Sequence, residues 1–303
     1  MNPGFSASRR PRAAFTLTEV LVAMGLMSLI VLVLMSVFSS TQTAFRSGVT
    51  QTDVLAGGRN TMEQITGDFR LLTASGGDGP GTGNAYSFVN LCCTNNSAAT
   101  YMNLLGGTQY RTNTLQSVFL LSRQNTTWIG VGYLVIPAYT NNSLYPLYRY
   151  YATSPLNYGP YGLYANFLAT VQNNNFVTNT AYWSHIMDGV VHFVVRAYDP
   201  QGYWITNGYS VYTINNLPWP TNNTVPSFPV NGEVGYCMYS NNLPGSVDIQ
   251  LGVLEDSAIR HLQGMYTYTP YAYTNYFFTN AASQMQLFRQ HVVIPGCNPA
   301  SYQ

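Results

Sequence analysis

Three stretches of different hydrophobic pattern follow one another along the chain. Residues 20–38 read VLVAMGLMSLIVLVLMSVF, with no charged side chain and no polar face. At about 1.5 Å per helical residue this run nearly matches a hydrocarbon core of about 30 Å, so it is predicted to span a membrane. A secretory signal peptide would carry a shorter apolar region, of about 7 to 15 residues. After Arg46 the pattern changes, and Val54, Leu55, Met62, Ile65, Phe69 and Leu72 recur mostly at intervals of three or four. Such spacing predicts an amphipathic helix that continues the first, with Arg59, Glu63 and Arg70 on other faces, Asp68 near its end, and Gly76 and Gly77 as the stop. Gly57 and Gly58 interrupt its middle, each at a cost of about 1 kcal/mol relative to Ala, and mark a bend or a site of close packing.

From residue 76 onward Asn, Thr, Tyr, Gly and Pro are spread among short β-branched and aromatic runs. The clearest predicted strands are 117–121, 128–136, 145–151, 190–198, 247–254 and 285–294. The run ending at Asp199, Pro200, Gln201 and Gly202 predicts a turn and hairpin. The string GGDGPGTG from Gly76 has no Lys after it and no strand before it, so it reads as a flexible loop and not as a phosphate cradle. The expected class is α+β. Residues 1–14 form a basic leader, 15–75 a long helix with its transmembrane part at about 20–38, and 76–303 a β-rich head.

Charge sharpens this outline. The 303 residues are only 8% charged, with 12 basic and 11 acidic side chains and a formal net charge of +1. All of the cations are Arg and none is Lys, which disfavours a nucleic-acid partner. With 46% hydrophobic and 14% aromatic residues the chain is expected to fold. Arg9, Arg10 and Arg12 precede the apolar run, and this positive-inside bias predicts a cytoplasmic N-terminus and a single pass that leaves the head across the membrane.

A carboxylate stands at the very edge of the apolar run in RAAFTLTEVLVAMGLMSLIVLVL, where it is costly to bury and becomes a functional candidate. Ala14, Phe15, Thr16, Leu17, Thr18 and Glu19, with the apolar run behind them, resemble the start of the prepilin family, the type IV pilins and the pseudopilins of type II secretion. The resemblance implies cutting by a prepilin peptidase between Ala14 and Phe15, with N-methylation of Phe15; the family usually has Gly before the cut, and Ala14 is a small substitute. It also implies an inner-membrane location with a periplasmic or extracellular head, lipid and other pilin or pseudopilin subunits as partners, and a pilin-like head packed on the second half of the helix. Glu19, fifth in the mature chain, would pair with a Phe15 amine of its own or a neighbouring chain and so set the register of assembly. In the head, MDGVVHFVVRAYDPQG, LPGSVDIQLGVLED and QLFRQHVVIPG resemble, more softly, the J-type minor pseudopilins and W-type minor pilins.

Catalytic motifs are absent from the sequence. His185, His192, His261 and His291 have no paired metal-ligand spacing, and no GxSxG elbow is present. His192 and Arg196 fall on one strand face, read as solvated, while Asp188, Asp199, Glu255 and Asp256 read as strand-end residues with no metal and no cofactor expected. The 25 Tyr and 4 Trp suit sheet faces and subunit contacts. Cys92, Cys93, Cys237 and Cys297 lie in the part assigned to an oxidising compartment, where disulfides joining the adjacent pair to the other two are expected, with the pairing open. The expected function is structural and not enzymatic: a minor pilin-like subunit acting in filament assembly, initiation or at the tip. The competing class is an anchored enzyme or a carbohydrate-binding or adhesive head on a pilin stalk.

Overall fold

Helix α1, Leu17–Arg70, is continuous through the apolar and the amphipathic stretches alike. The structure is a computed structural model and describes residues 16–76, 85–92, 100–103, 110–136, 139–140, 143–172, 181–205, 235–239, 241–268 and 285–297. The helix stops five residues short of the predicted 75, and Gly76 adopts a φ of 68° beyond it. The chain divides into two units, Met1–Val49 and Thr50–Gln303.

Within the first unit the described apolar side chains, among them Leu21, Leu26, Leu29, Leu32 and Phe38, are all exposed. This is the one helix among the described residues long and apolar enough to cross a membrane.

Within the second unit the rear of α1 is amphipathic, as its spacing predicts: Val54, Met62, Ile65 and Phe69 are buried, followed by Leu72 beyond the helix end. Antiparallel strands surround it. Those of the larger sheet are β1 (Tyr86–Cys92), β4 (Gln116–Gln124), β5 (Thr127–Val135), β8 (Leu147–Pro155), β9 (Trp183–Met187) and β11 (Tyr236–Tyr239), in the order β11-β1-β4-β5-β8-β9. A three-stranded sheet follows the order β10-β12-β13, from Val190–Tyr198, Ser246–Leu254 and Met285–Val293. Two small ribbons, β2 with β3 (Thr100–Asn103, Tyr110–Asn113) and β6 with β7 (Tyr139–Thr140, Ser143–Leu144), complete the strands among the described residues. The six predicted strands are all present, with ends shifted by a few residues at most. A two-residue turn joins β4 to β5, and Asn125 supplies the positive φ, 50°, that such turns need.

Two hydrophobic cores lie on opposite faces of the larger sheet. The first joins the rear of α1 to Phe88, Leu120, Val131 and Tyr133 and to Phe193, Ile249, Leu251 and Val253 of the smaller sheet. The second is aromatic, built from Tyr86, Phe119, Trp128, Tyr150, Tyr164, Phe167 and Trp183 under helix α2, Leu163–Gln172. Gly132 makes this packing possible, because a Cβ there would come within 2.4 Å of the Phe167 ring. Helix α2 and a further helix, α3 (Asp256–Tyr268), are additions to the strands predicted for the head. Gly58 resolves the earlier alternative: α1 runs through it unbroken, and a Cβ would meet the Phe288 ring of β13 at 2.3 Å, so it serves close packing.

Candidate assembly site at the helix start

Thr16 and Glu19 close the first turn of α1 on themselves. The Thr16 backbone N–H donates to Glu19 Oε2 at 2.9 Å, and the Thr16 hydroxyl donates to the same oxygen at 3.0 Å. In return the Glu19 N–H lies 3.4 Å from Thr16 Oγ1. This is the reciprocal capping box, which satisfies orphan donors at a helix start and places a carboxylate at the positive end of the helix dipole. The signal was present in the sequence as TLTE, a Thr followed three residues later by Glu before an apolar run, and Thr16 belongs with Glu19 for that reason. Ala14 and Phe15 lie outside the described residues.

From residue 20 to residue 41 the helix then presents only apolar side chains and small hydroxyls. Ser28 and Thr41 donate back to the carbonyls of Met24 and Val37 at 2.9 and 2.8 Å, so even these hydroxyls are satisfied within the helix. Residues 9–38 match the prokaryotic N-terminal methylation motif. The segment is of the prepilin type. The match does not extend into the head, where the likeness to J-type and W-type subunits has no further support. No curated protein and no solved structure matches the chain. The capping pair Thr16 and Glu19 lies within the matched residues.

At the far end of α1 a second polar cluster ties helix to sheet. Asp68 lies in the last turn, where the helix dipole disfavours an acid, and it is held by Arg149 of β8 through two bonds of 2.9 Å. The Tyr133 hydroxyl of β5 donates to the same carboxylate. Burial, then Asp68, push the Tyr133 phenol far above its usual range against the pull of Arg149. Burial lowers the Arg149 pKa, but Asp68 and Tyr133 outweigh it and hold the guanidinium above its ordinary value. The site is a structural clamp: every polar group in it is committed to another.

The remaining candidates are dispersed. His192 is buried and not solvated, contrary to its reading from strand alternation, because Thr114 N–H donates to its Nδ1 at 3.3 Å and Gln250 lies 3.4 Å from Nε2. His185 pairs with Asp188 at 3.0 Å and His291 with Asp248 at 2.6 Å. Asp199 accepts from the N–H groups of Gln201 and Tyr203 and so builds the predicted turn, with Tyr198 bridged to Trp204. Asp256 pairs with Arg260 along α3, and Glu255 accepts from Gln286. No three His, Cys, Asp or Glu side chains converge among the described residues.

Of the cysteines, Cys93 and the side chains of Cys92 and Cys237 lie outside the described set. The backbone ladder puts Cys237 opposite Val89, three positions from the level of Cys92 and so about 10 Å along the strand, farther than a disulfide reaches without a register slip. Cys297 is a free thiol that donates to the Leu243 carbonyl at 3.2 Å, and burial followed by Asp199 pushes its pKa up.

Proposed function

We propose that the protein is a structural, non-enzymatic, pilin-like subunit of a type II secretion or type IV pilus filament, in a minor role at initiation or at the tip. The observation that carries the reading is the matched N-terminal segment: an acid at its edge, then the front of a helix whose apolar side chains are exposed among the described residues. Such a surface suits lipid before assembly and neighbouring helices afterwards. In this reading the peptidase cuts between Ala14 and Phe15, the Phe15 amine is methylated, and the leader faces the cytoplasm while the head lies in the periplasm or outside the cell. Glu19 then trades its capping contact with Thr16 for an amine of its own or a neighbouring chain, which gives a buried charge its compensation.

The test is Glu19→Ala in the native host. Removing the acid lowers the cost of insertion, so protein level and cleavage should persist while co-purification with other filament subunits falls. Equal recovery of partners at equal expression overturns the role of Glu19. An N-terminus at Met1 in the membrane-extracted protein, read by mass spectrometry, overturns the processing and with it the filament reading.

A further inference from the structure

Strand β13 is the edge of the three-stranded sheet, and among the described residues β12 is its only neighbour. It pairs with β12 over its whole length, from Ser246 opposite Val293 to Leu254 opposite Met285, without a bulge. Proteins usually blunt such an edge with a bulge, a Pro, Lys residues or a very short strand. Among the described residues the strand has no bulge, Pro or Lys, it is nine residues long, MQLFRQHVV, and its one fixed charge is Arg289.

The strand is held firmly from one side. Val292 is buried, and Phe288 packs against Gly58 of α1. The alternate positions Leu287, Arg289, His291 and Val293 therefore share the opposite face, and all four are exposed, Leu287 by 41% and Val293 by 65%. Asp248, the acid on this face, is already engaged by His291 and by the Tyr198 hydroxyl at 3.0 Å. Arg289 stands opposite Gln250, with no ion-pair partner among the described residues. Burial and then Asp248 raise the Tyr198 pKa, and Arg196 and Arg289 offset this only in part, so the charge left unmatched on this face is that of Arg289.

From this arrangement we propose that β13 is an acceptor edge for an extended acidic segment of another protein, added to the sheet as a further strand. Residues directly opposite or diagonal on one face of paired strands interact, and opposite charges there are favourable. The order Leu287, Arg289, His291, Val293 then selects a segment with the pattern apolar-x-acid-x-acid-x-apolar, which reads the same in parallel and antiparallel addition. Main-chain pairing supplies the affinity and the four side chains supply the choice. The proposal concerns the head alone and stands or falls independently of the filament reading.

The experiment uses the full chain in detergent micelles and a fluorescein-labelled peptide, acetyl-Val-Thr-Glu-Thr-Glu-Thr-Val-amide, followed by anisotropy. Saturable binding is expected, weakened about tenfold or more by Arg289→Glu. The peptide with Lys in place of Glu should bind poorly to the unmodified protein and regain binding to the Arg289→Glu, His291→Glu double variant. N-methylation of alternate peptide amides should abolish binding, since it blocks strand pairing and leaves the charges. Both positions are exposed, and an unchanged far-UV spectrum with an unchanged unfolding midpoint identifies folded variants. Absence of binding, equal binding of the Glu and Lys peptides, indifference to Arg289→Glu in a folded variant, or equal binding of the methylated peptide each overturns the proposal. So does sedimentation showing a dimer that Arg289→Glu dissolves, because a second copy is then the occupant.

Discussion

The front of α1 is apolar all round and its rear is apolar on one face, and the two put those side chains to opposite uses. Near its start Leu29 is 60% exposed and its apolar neighbours are uncovered as well, whereas near its end Ile65 and Phe69 are 0% exposed. Burial of a side chain of this size contributes roughly 1.5–3 kcal/mol, so the rear of the helix belongs to the stability of the head. The front contributes nothing there. Its apolar surface is stabilising only in contact with lipid or with other helices, and a helix that is hydrophobic all round marks such a setting. One continuous element thus carries two separate energetic assignments, and substitutions should separate them.

The largest effect is expected from Phe69→Ala, which empties a buried aromatic site against Phe88, whose ring lies 5.9 Å away. It should cost the head about 3–5 kcal/mol, read as a lower urea midpoint at constant slope. Leu29→Ala should leave that midpoint unchanged and weaken membrane retention instead. A matching loss of head stability in Leu29→Ala would break the division.

Asp68→Ala comes next. It leaves the Arg149 guanidinium, 18% exposed in its side chain, without its carboxylate. Removing one member of such a pair commonly costs about 3–5 kcal/mol, while replacing the whole pair with apolar groups is often neutral. Asp68→Leu combined with Arg149→Met, measured by the same unfolding curve, should therefore recover most of the loss. A double variant as unstable as the single one would show that the residues act through packing alone.

Periodicity and motif made α1, its two faces and six of the strands legible, because each is written in neighbouring residues. The clamp was not, because Asp68 stands 65 positions from Tyr133 and 81 from Arg149, and only the fold brings them together. His192 is illegible for a related reason: alternation gives a strand two faces but does not say that both are covered, and here Thr114 and Gln250 close the face that carries His192. Helix α2 leaves an indirect trace in the sequence. Two glycines at alternate positions of one strand, Gly130 and Gly132, indicate a close approach by another element, and Leu163 and Phe167 of α2 make it. At the helix start the capping box is equally legible in TLTE, a Thr followed three residues later by Glu.

Alkaline pH sharpens the contrast without a substitution. Burial pushes the Tyr133 phenol well above its usual range, and burial followed by Tyr182 pushes Tyr150 up to about 12. A raised folded pKa means that the native state keeps its proton where the unfolded chain loses it. Stability is therefore complete below the ordinary phenol value of about 10 and declines as pH climbs toward the folded values. At pH 11 each of the two buried phenols should cost the head about 1.4 kcal/mol. The front of α1 has no tyrosine, so membrane retention should not follow the same curve. A urea midpoint that is flat from pH 9 to 11 would contradict the burial of both groups.

The smallest expected effect is also the finest probe of where the rear of the helix begins to pack. Gly57 and Gly58 are adjacent in the chain, and Ala has the higher helix propensity at both, worth about 1 kcal/mol. At Gly57 a Cβ meets nothing within 4 Å, so Gly57→Ala should raise head stability by up to that amount. At Gly58 the same Cβ would stand 2.3 Å from two carbons of the Phe288 ring, and overpacking of this kind typically costs about 1–3 kcal/mol. The propensity gain offsets part of it, leaving a net loss of about 0–2 kcal/mol. Opposite signs at neighbouring positions cannot come from helix propensity, which treats the two alike. If both substitutions stabilise equally, Phe288 moves aside at little cost and β13 is held less firmly against α1 than the close approach implies.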